Sequence, residues 1–528
     1  MAGSRAPRVS QSRESGLRAG PLSATLDGPD LIDVRWGSLD VASRIQVTVR
    51  DAGWGTVPAR LRSSSIGRSV DGFHAEMSAI HDEGGVVFSW DGRIEANSRG
   101  ELTFAIEGVA EGWSEYRRFG ICVLHPWRAY AGASYRATTP SEEMRGTFPR
   151  EIAPQLLRHG HHQPMIEAFS ALDVGFPGGA GAAFAFEGEL FELEDQRNWT
   201  DASFKTYPTP LARSEPRPVR AGERFAQRVA LRLEGPPSAS LPIDGVTAVR
   251  IGARTGRPMP PIGLIAPGDP ALHPAHLRVA VDVGGGDTAE LEGAASAGIP
   301  LEVALLVDEN VGGIDAIAPI LSDAPLARAL IHRSDGRTIS GALVRSVAER
   351  LGAVVGHVPI VGGTPDHFSE LNRHPPDRES AESVAFAISP TVHNSDERSM
   401  METLEIQGQV MRRAVELAGG LPIVVSPVRL DAHSGTPFAD AWTAGSIAAL
   451  TTAGAVSLTY QEATPALNRA MAWQGAELLD VALSHPGRVA ALATNAGVLL
   501  ANLTPSPQRL TIDGDDEPTL APYEVRIR

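Results

Sequence analysis

LRVAVDVGGGDTAELEGAASAGIPLEVALLV, residues 277–307, reads as a strand, a glycine-rich loop, a helix and a second strand. The two strand segments, 277–283 and 301–307, are continuous apolar runs rather than alternating ones, the texture of a sheet covered on both faces. Units of this kind recur on either side. Further apolar strands are predicted at 262–266, 327–332, 353–361, 383–389, 422–427 and 455–461. Helix-length segments lie between them at 289–297, 313–321, 341–351, 400–417 and 442–453. About eight strand–helix units in roughly 220 residues predict a (β/α)8 TIM-type barrel over 256–485. A doubly wound open sheet has the same texture, and the number of units decides for the barrel.

Outward from the barrel the texture turns to β. Short alternating runs at 31–36, 43–50, 85–91, 100–108 and 118–124, punctuated by Asp91-Gly92, Asn97 and Gly100, predict an N-terminal antiparallel β-sandwich over 23–255. The segment 187–194 alternates acid with apolar residues, as a half-exposed strand would. Residues 208–220, rich in Pro and Arg, read as a linker. After 486, runs at 488–494, 498–503, 509–513 and 524–528 predict a small C-terminal antiparallel β-domain over 486–528, with hairpin turns at Asn495-Ala-Gly497 and Gly514-Asp-Asp516. The fold class is therefore multidomain, α/β plus β. Residues 1–22 read as a disordered tail: they carry Arg5, Arg8, Arg13 and Arg18 and lack the apolar core of a signal peptide.

Bulk composition excludes several functions. With 42% hydrophobic and 21% charged residues, the 528-residue chain buries real cores. A net charge of −16, from 47 basic and 63 acidic residues, argues against a general nucleic-acid binder. No run of eighteen apolar residues suggests a membrane span, and the cytoplasm is the expected location. The single cysteine, Cys122, sits in a strand-like Gly-Ile-Cys-Val-Leu context and reads as a buried apolar residue. His159-Gly-His161-His162 lacks a carboxylate at helical spacing, so a metal is not expected there. No Gly-x-Ser-x-Gly elbow occurs in the barrel region, and Gly284-Gly285-Gly286 lacks the spacing of a dinucleotide cradle.

Barrel enzymes place their chemistry at the carboxyl ends of the strands. Those ends carry Asp282, then Asp308 and Glu309, then His332 and Arg333. The fifth strand leads into Thr364-Pro-Asp-His-Phe-Ser-Glu370-Leu-Asn372-Arg373, and the sixth ends at Ser389-Pro-Thr-Val-His393-Asn394-Ser-Asp396. The seventh leads into Arg429-Leu-Asp431-Ala-His433 and the eighth ends at Tyr460-Gln-Glu462. The loop 364–373 is dense in groups that hydrogen-bond a polyol. Asp396 or Ser395 reads equally as the cap of a following helix. Outside the barrel, Glu194-Asp195-Gln-Arg197-Asn-Trp199-Thr-Asp201-Ala-Ser-Phe-Lys205-Thr-Tyr207 is both polar and aromatic. It reads either as a sugar-binding surface or as a buried polar network.

That stretch resembles the D-apionate lactonase family, as do Phe119-Gly-Ile-Cys-Val-Leu-His-Pro126 and the 364–373 and 389–393 loops. The likeness runs over nearly the whole chain from about residue 25. Pro208 and the loop 158–162 depart from it. The resemblance implies a β-rich N-terminal domain, a TIM barrel and a small C-terminal β-domain. It also implies hydrolysis of D-apionolactone to D-apionate in catabolism of the branched sugar apiose. It assigns no catalytic roles.

Lactone hydrolysis needs an activated water and donors for an oxyanion. The expected general base is Glu462 or Asp282, with His393, Asn394 or Arg373 polarising the carbonyl. Glu370 and Asn372 are expected to bind hydroxyls, with Thr364, Tyr460, Asp195, Arg197 and Trp199 as further substrate contacts. No cofactor is expected; a divalent metal on the same carboxylates is the alternative. The expected partner is a small sugar lactone, with no nucleic acid and no membrane. Two other readings remain: a glycoside hydrolase with Glu370 and Glu462 as its paired acids, and a non-catalytic carbohydrate-binding protein.

Overall fold

The half-buried strands of the N-terminal region present a dry face and a wet one. In Phe88–Asn97, Phe88, Trp90, Gly92 and Ile94 are buried while Asp91, Arg93 and Glu95 are exposed. The computed structural model describes residues 15–528 except 155–156, 159–160, 163, 214, 239–244, 286 and 309–310, and in it the chain divides into two compact units. The first is Met1–Gln196 with Ser203–Pro242; the second is Arg197–Ala202 with Ile243–Arg528.

Among the described residues the first unit holds two antiparallel sheets of ten and nine strands. One runs, in spatial order, Ser15–Ala19, Leu22–Asp27, Asp30–Trp36, Leu39–Asp51, Ser114–Pro126, Ser203–Pro208, Phe191–Asp195 and Ile166–Phe169, with two short strands off this path. The other runs from Glu143–Thr147 through Gly181–Glu187, Arg224–Glu234 and Phe88–Asn97 to Arg60–Arg68. Residues of both sheets, from Leu17 to Leu233, form one continuous apolar core. Three expectations change here. The tail expected to be disordered to residue 22 is already strand at Ser15–Ala19, because Leu17 and Ala19 alternate into that core. The strand expected at 85–91 is displaced to Phe88–Asn97. The segment 187–194 is two strands broken at Gly188, whose φ is +93°. Glu192 is buried rather than half-exposed, paired with Arg118 at 2.6 Å and accepting from Leu211 N–H.

In the second unit eight parallel strands close a barrel: β1 Ile262–Ile265, β2 Leu277–Asp282, β3 Leu301–Val307, β4 Leu326–Arg333, β5 Ile360–His367, β6 Ser383–Ile388, β7 Ile423–Val428 and β8 Ser457–Tyr460. The strand predicted at 353–361 begins only at Ile360, because helix Gly341–Val355 runs about one turn further than its pattern suggested and a short connection follows it. The expected loop 364–373 is the end of β5 followed by helix Phe368–Arg373. Phe368 and Leu371, spaced i,i+3, are buried and draw Ser369, Glu370 and Asn372 inward with them. Gly363 is required where β5 meets β6: at φ +108° an added Cβ would stand 2.2 Å from Ala385 O.

The last sheet takes strands from both sides of the barrel. Its order is Asp515–Leu520, Gln508–Ile512, Val246–Pro258, Glu477–Leu483, Val489–Thr494, Gly497–Asn502 and Val525–Ile527. It is not antiparallel throughout, because Val246–Val249 runs parallel to Arg509–Ile512. Helix Pro437–Thr452 packs on Glu397–Ala418 and also on Val489–Thr494. Covered from both directions, it is apolar around its circumference, with Phe438, Trp442, Ile447 and Leu450 all buried. Helix Glu397–Ala418 is capped by Asp396, which accepts from Ser399 N–H at 3.0 Å and from its hydroxyl at 2.8 Å. Asp396→Ala is expected to cost about 1 kcal/mol, read as a lowered urea midpoint at unchanged slope. Among the described residues no helix is long and apolar enough to cross a membrane.

Candidate active site

Side chains alternate along each barrel strand between lumen and helices. Arg278, Ala280 and Asp282 of β2 share the lumen face with Glu302 and Ala304 of β3 and with Arg328, Leu330 and His332 of β4. Glu302 is fully buried at the floor. It accepts from the Ser426 hydroxyl and from Thr459 Oγ1 at 3.0 Å. Its carboxylate lies 3.4 Å from His276 Nε2, 3.6 Å from Arg328 Nε and 3.8 Å from Arg278 Nε. Burial alone would raise the pKa of Glu302, but His276, the two arginines and the Ser426 hydroxyl outweigh it and hold the carboxyl below its ordinary value. Burial lowers His276 to about 4, so the imidazole stays neutral near neutral pH.

The rim is built where β5, β6 and β7 end. His393, after β6, is 2.7 Å from Asp201 through Nδ1, and each side chain is 16% exposed. A carboxylate only accepts, so Nδ1 carries the proton. Trp199 meets the imidazole edge-on, with ring centroids 5.6 Å apart, and the Arg373 guanidinium lies over the indole at 5.2 Å. Asn198 accepts from Asn372 Nδ2 at 2.7 Å, and fully buried Arg197 donates to Gln409 at 3.1 Å. Residues 197–202 are thus anchored at several points in the barrel unit, although strands of the N-terminal sheet precede and follow them. His367, at the end of β5, has its pKa lowered by burial and by Arg429, partly offset by Asp366, Asp201 and Asp431. It therefore sits among the rim charges as a neutral group. Ser389 Oγ is 2.9 Å from Thr391 Oγ1 and 3.4 Å from Asp431.

The structure brings His393, Arg373, Asn372, Arg197 and Trp199 together from the residues expected in the site. Asn394 is half-buried in the chain next to His393. Glu370 is committed elsewhere: it accepts from Thr338 N–H at 3.2 Å and pairs with His374 at 2.8 Å. Thr364 is buried and bonds Gly336 O and Asp366 N–H. Tyr460 turns to the helix side, its hydroxyl 3.1 Å from Ser446. Asp195 is buried in the strand before the 197–202 segment. Asp282 and Glu462 are exposed; Asp282 accepts from Gly284 N–H in a turn. Among the described residues no hydrogen bond or ion pair joins either carboxylate to the His393 group. Asp201, His367 and Arg429 gain weight from the geometry. The floor residues Arg278 and Glu302 escaped sequence reasoning, though a charge inside an otherwise apolar strand was the available signal.

Among the described residues no group of three or more His, Cys, Asp or Glu could hold a metal ion. Glu309, His159 and the side chains of His161 and His162 lie outside the described residues.

Three family models match the chain: D-apionate lactonase N-terminal domain over residues 4–236, TIM barrel domain over 270–435, and C-terminal immunoglobulin-like domain over 486–527. A D-apionate lactonase of Brucella anthropi is 26% identical, covering 98% of this chain and 97% of its own. A putative aldose 1-epimerase of Escherichia coli K12 is 12% identical, covers 42% of this chain and 99% of its own, and aligns with a TM-score of 0.29. A beta-arabinopyranosidase is 9% identical, covers 97% and 98%, and aligns with a TM-score of 0.30. Structural likenesses this slight carry no argument. The family models do: they account for the N-terminal region, the barrel that holds the rim residues and the closing sheet in chain order, and the chain belongs to the D-apionate lactonase family.

Proposed function

We propose that this protein hydrolyses a sugar lactone, D-apionolactone to D-apionate in apiose catabolism, in the cytoplasm and with the chemistry at the barrel rim. The observation that carries the reading is the Asp201–His393 pair at 2.7 Å, at the carboxyl end of β6. A carboxylate on Nδ1 fixes the tautomer and orientation of an imidazole and stabilises the imidazolium it becomes. His393 is then the general base. It takes a proton from water as the oxygen attacks the lactone carbonyl. Arg429 is the cation for the tetrahedral oxyanion. The ring C–O bond breaks, the imidazolium returns its proton to the leaving oxygen, and a hydroxy acid leaves. Trp199 and Arg373 hold the sugar and the base in place. In this reading the two N-terminal sheets form a β-sandwich.

The base assigned here is a histidine, in place of Glu462 or Asp282, because those carboxylates are exposed and, among the described residues, no side chain hydrogen-bonds either of them, Asp282 being held only by Gly284 N–H of its own turn. The paired-acid alternative draws no support, since Glu370 is held by Thr338 and His374. A panel of sugar lactones and aryl glycosides on the purified chain tests the reading. Turnover is expected for D-apionolactone and not for glycosides. Glycoside cleavage without lactone hydrolysis would overturn it.

A further inference from the structure

The barrel lumen holds two polar groups that the reaction above does not use, Arg278 at the floor and His332 toward the carboxyl end of β4. Arg278 is 4% exposed; its Nε–H donates to Ser426 Oγ at 3.0 Å, and among the described residues its terminal nitrogens form no hydrogen bond. His332 is fully buried, and among the described residues neither ring nitrogen has a partner. A fully buried imidazole with neither nitrogen paired is rare enough to call for an explanation. The charges point the same way. One carboxylate, Glu302, faces two guanidiniums, those of Arg278 and Arg328, so the floor carries a net positive charge. The charge of Arg429 at the rim also acts on Arg278. On the lumen face beyond Arg278, Ala280 is exposed, so the lumen is open on the rim side of that guanidinium.

We propose that the lumen from the floor upward is a subsite for a short polyhydroxy acid, its carboxylate at Arg278 and a hydroxyl further along hydrogen-bonded to His332. A guanidinium presents parallel N–H donors that match a carboxylate in a bidentate pair. Burial and the Arg278 charge lower His332 to about 3, so near neutral pH it is a neutral imidazole with one donor and one acceptor, as a hydroxyl requires. That the acid is the enzyme's own product rests on the hydrolytic reading; the subsite itself does not. Under that reading the enzyme is inhibited by its product and by other aldonates.

The test is calorimetric titration of the full chain with threonate and with threitol, its uncharged counterpart. Threonate is expected to bind at least roughly tenfold more tightly than threitol, and Arg278→Lys and His332→Leu each to weaken threonate by roughly tenfold or more. Arg278→Lys keeps the charge facing Glu302 but loses the fork; His332→Leu removes an imidazole that no described group uses. If Arg278→Lys does not fold, His332→Leu decides alone. Wild-type protein that ignores threonate, or variants that bind it as the wild type does, would overturn the subsite. Lactone hydrolysis without threonate binding removes only the subsite. Binding that depends on Arg278 or His332, in a protein that hydrolyses no lactone, removes only the hydrolytic reading.

Discussion

Asp201→Asn is expected to lower kcat on a sugar lactone by roughly 100- to 10,000-fold, with KM and the unfolding midpoint close to wild type. The amide keeps the volume of the carboxylate but presents an N–H where the Nδ1 proton needs an acceptor, so the imidazole is held in the wrong tautomer or released. Asp201 meets His393 at 2.7 Å and serves the reaction only through it, so substrate affinity has little reason to change. His393→Ala should match it, and the double variant should be little worse than either single one, because two residues acting as one unit lose their effect once. Near-normal kcat in either folded single variant would sink the assignment. A rise in KM alone would instead mark the pair as a binding contact.

The second large effect concerns stability. Glu302→Gln should destabilise the barrel unit by about 3–5 kcal/mol, because it leaves the buried Arg278 guanidinium and the partly buried one of Arg328 facing an uncharged amide. That figure measures orphaned charge, not the net worth of the cluster, which replacement by apolar side chains could match. Acid should act in the same direction. Glu302 has a folded pKa below its ordinary value, so its contribution is present above the ordinary glutamate range and lost as pH falls through the folded value. His276, lowered from 6.5 to about 4, stays neutral in the folded chain while the unfolded chain takes up a proton. Stability should therefore begin to fall as pH drops below about 6.5 and continue to fall through the histidine window toward 4. Urea unfolding of wild type and Glu302→Gln across this range reads both effects. A midpoint unchanged by the substitution would show that Glu302 does not balance the arginines.

Much of this architecture was legible from periodicity. Continuous apolar runs such as Leu301–Val307 can be buried on both faces only in a covered sheet, and eight of them bring a barrel with them. Alternation at 100–108 marked the strand Glu101–Ala110 of the N-terminal sheets equally well. Reading failed where one residue had two possible environments. Helix Phe368–Arg373 looked like a polar loop because Glu370, Asn372 and Arg373 dominate its composition, whereas Phe368 and Leu371 decide its conformation. Glu462 and Asp282 looked catalytic because strand ends favour carboxylates at the mouth, but position along a strand does not say whether a partner orients the group.

The sequence by itself determined most element types, the barrel and the family, because hydrophobic period and long motifs are local properties of the chain. It also flagged 194–207 as the most specific segment without saying what that segment touches. Only the tertiary structure decided that Asp201 lies against His393, 192 positions further along, and that Glu302 is shared among His276, Arg278 and Arg328. Pairings across such separations are set by barrel closure and side-chain direction, and neither leaves a periodic trace in the order of the residues.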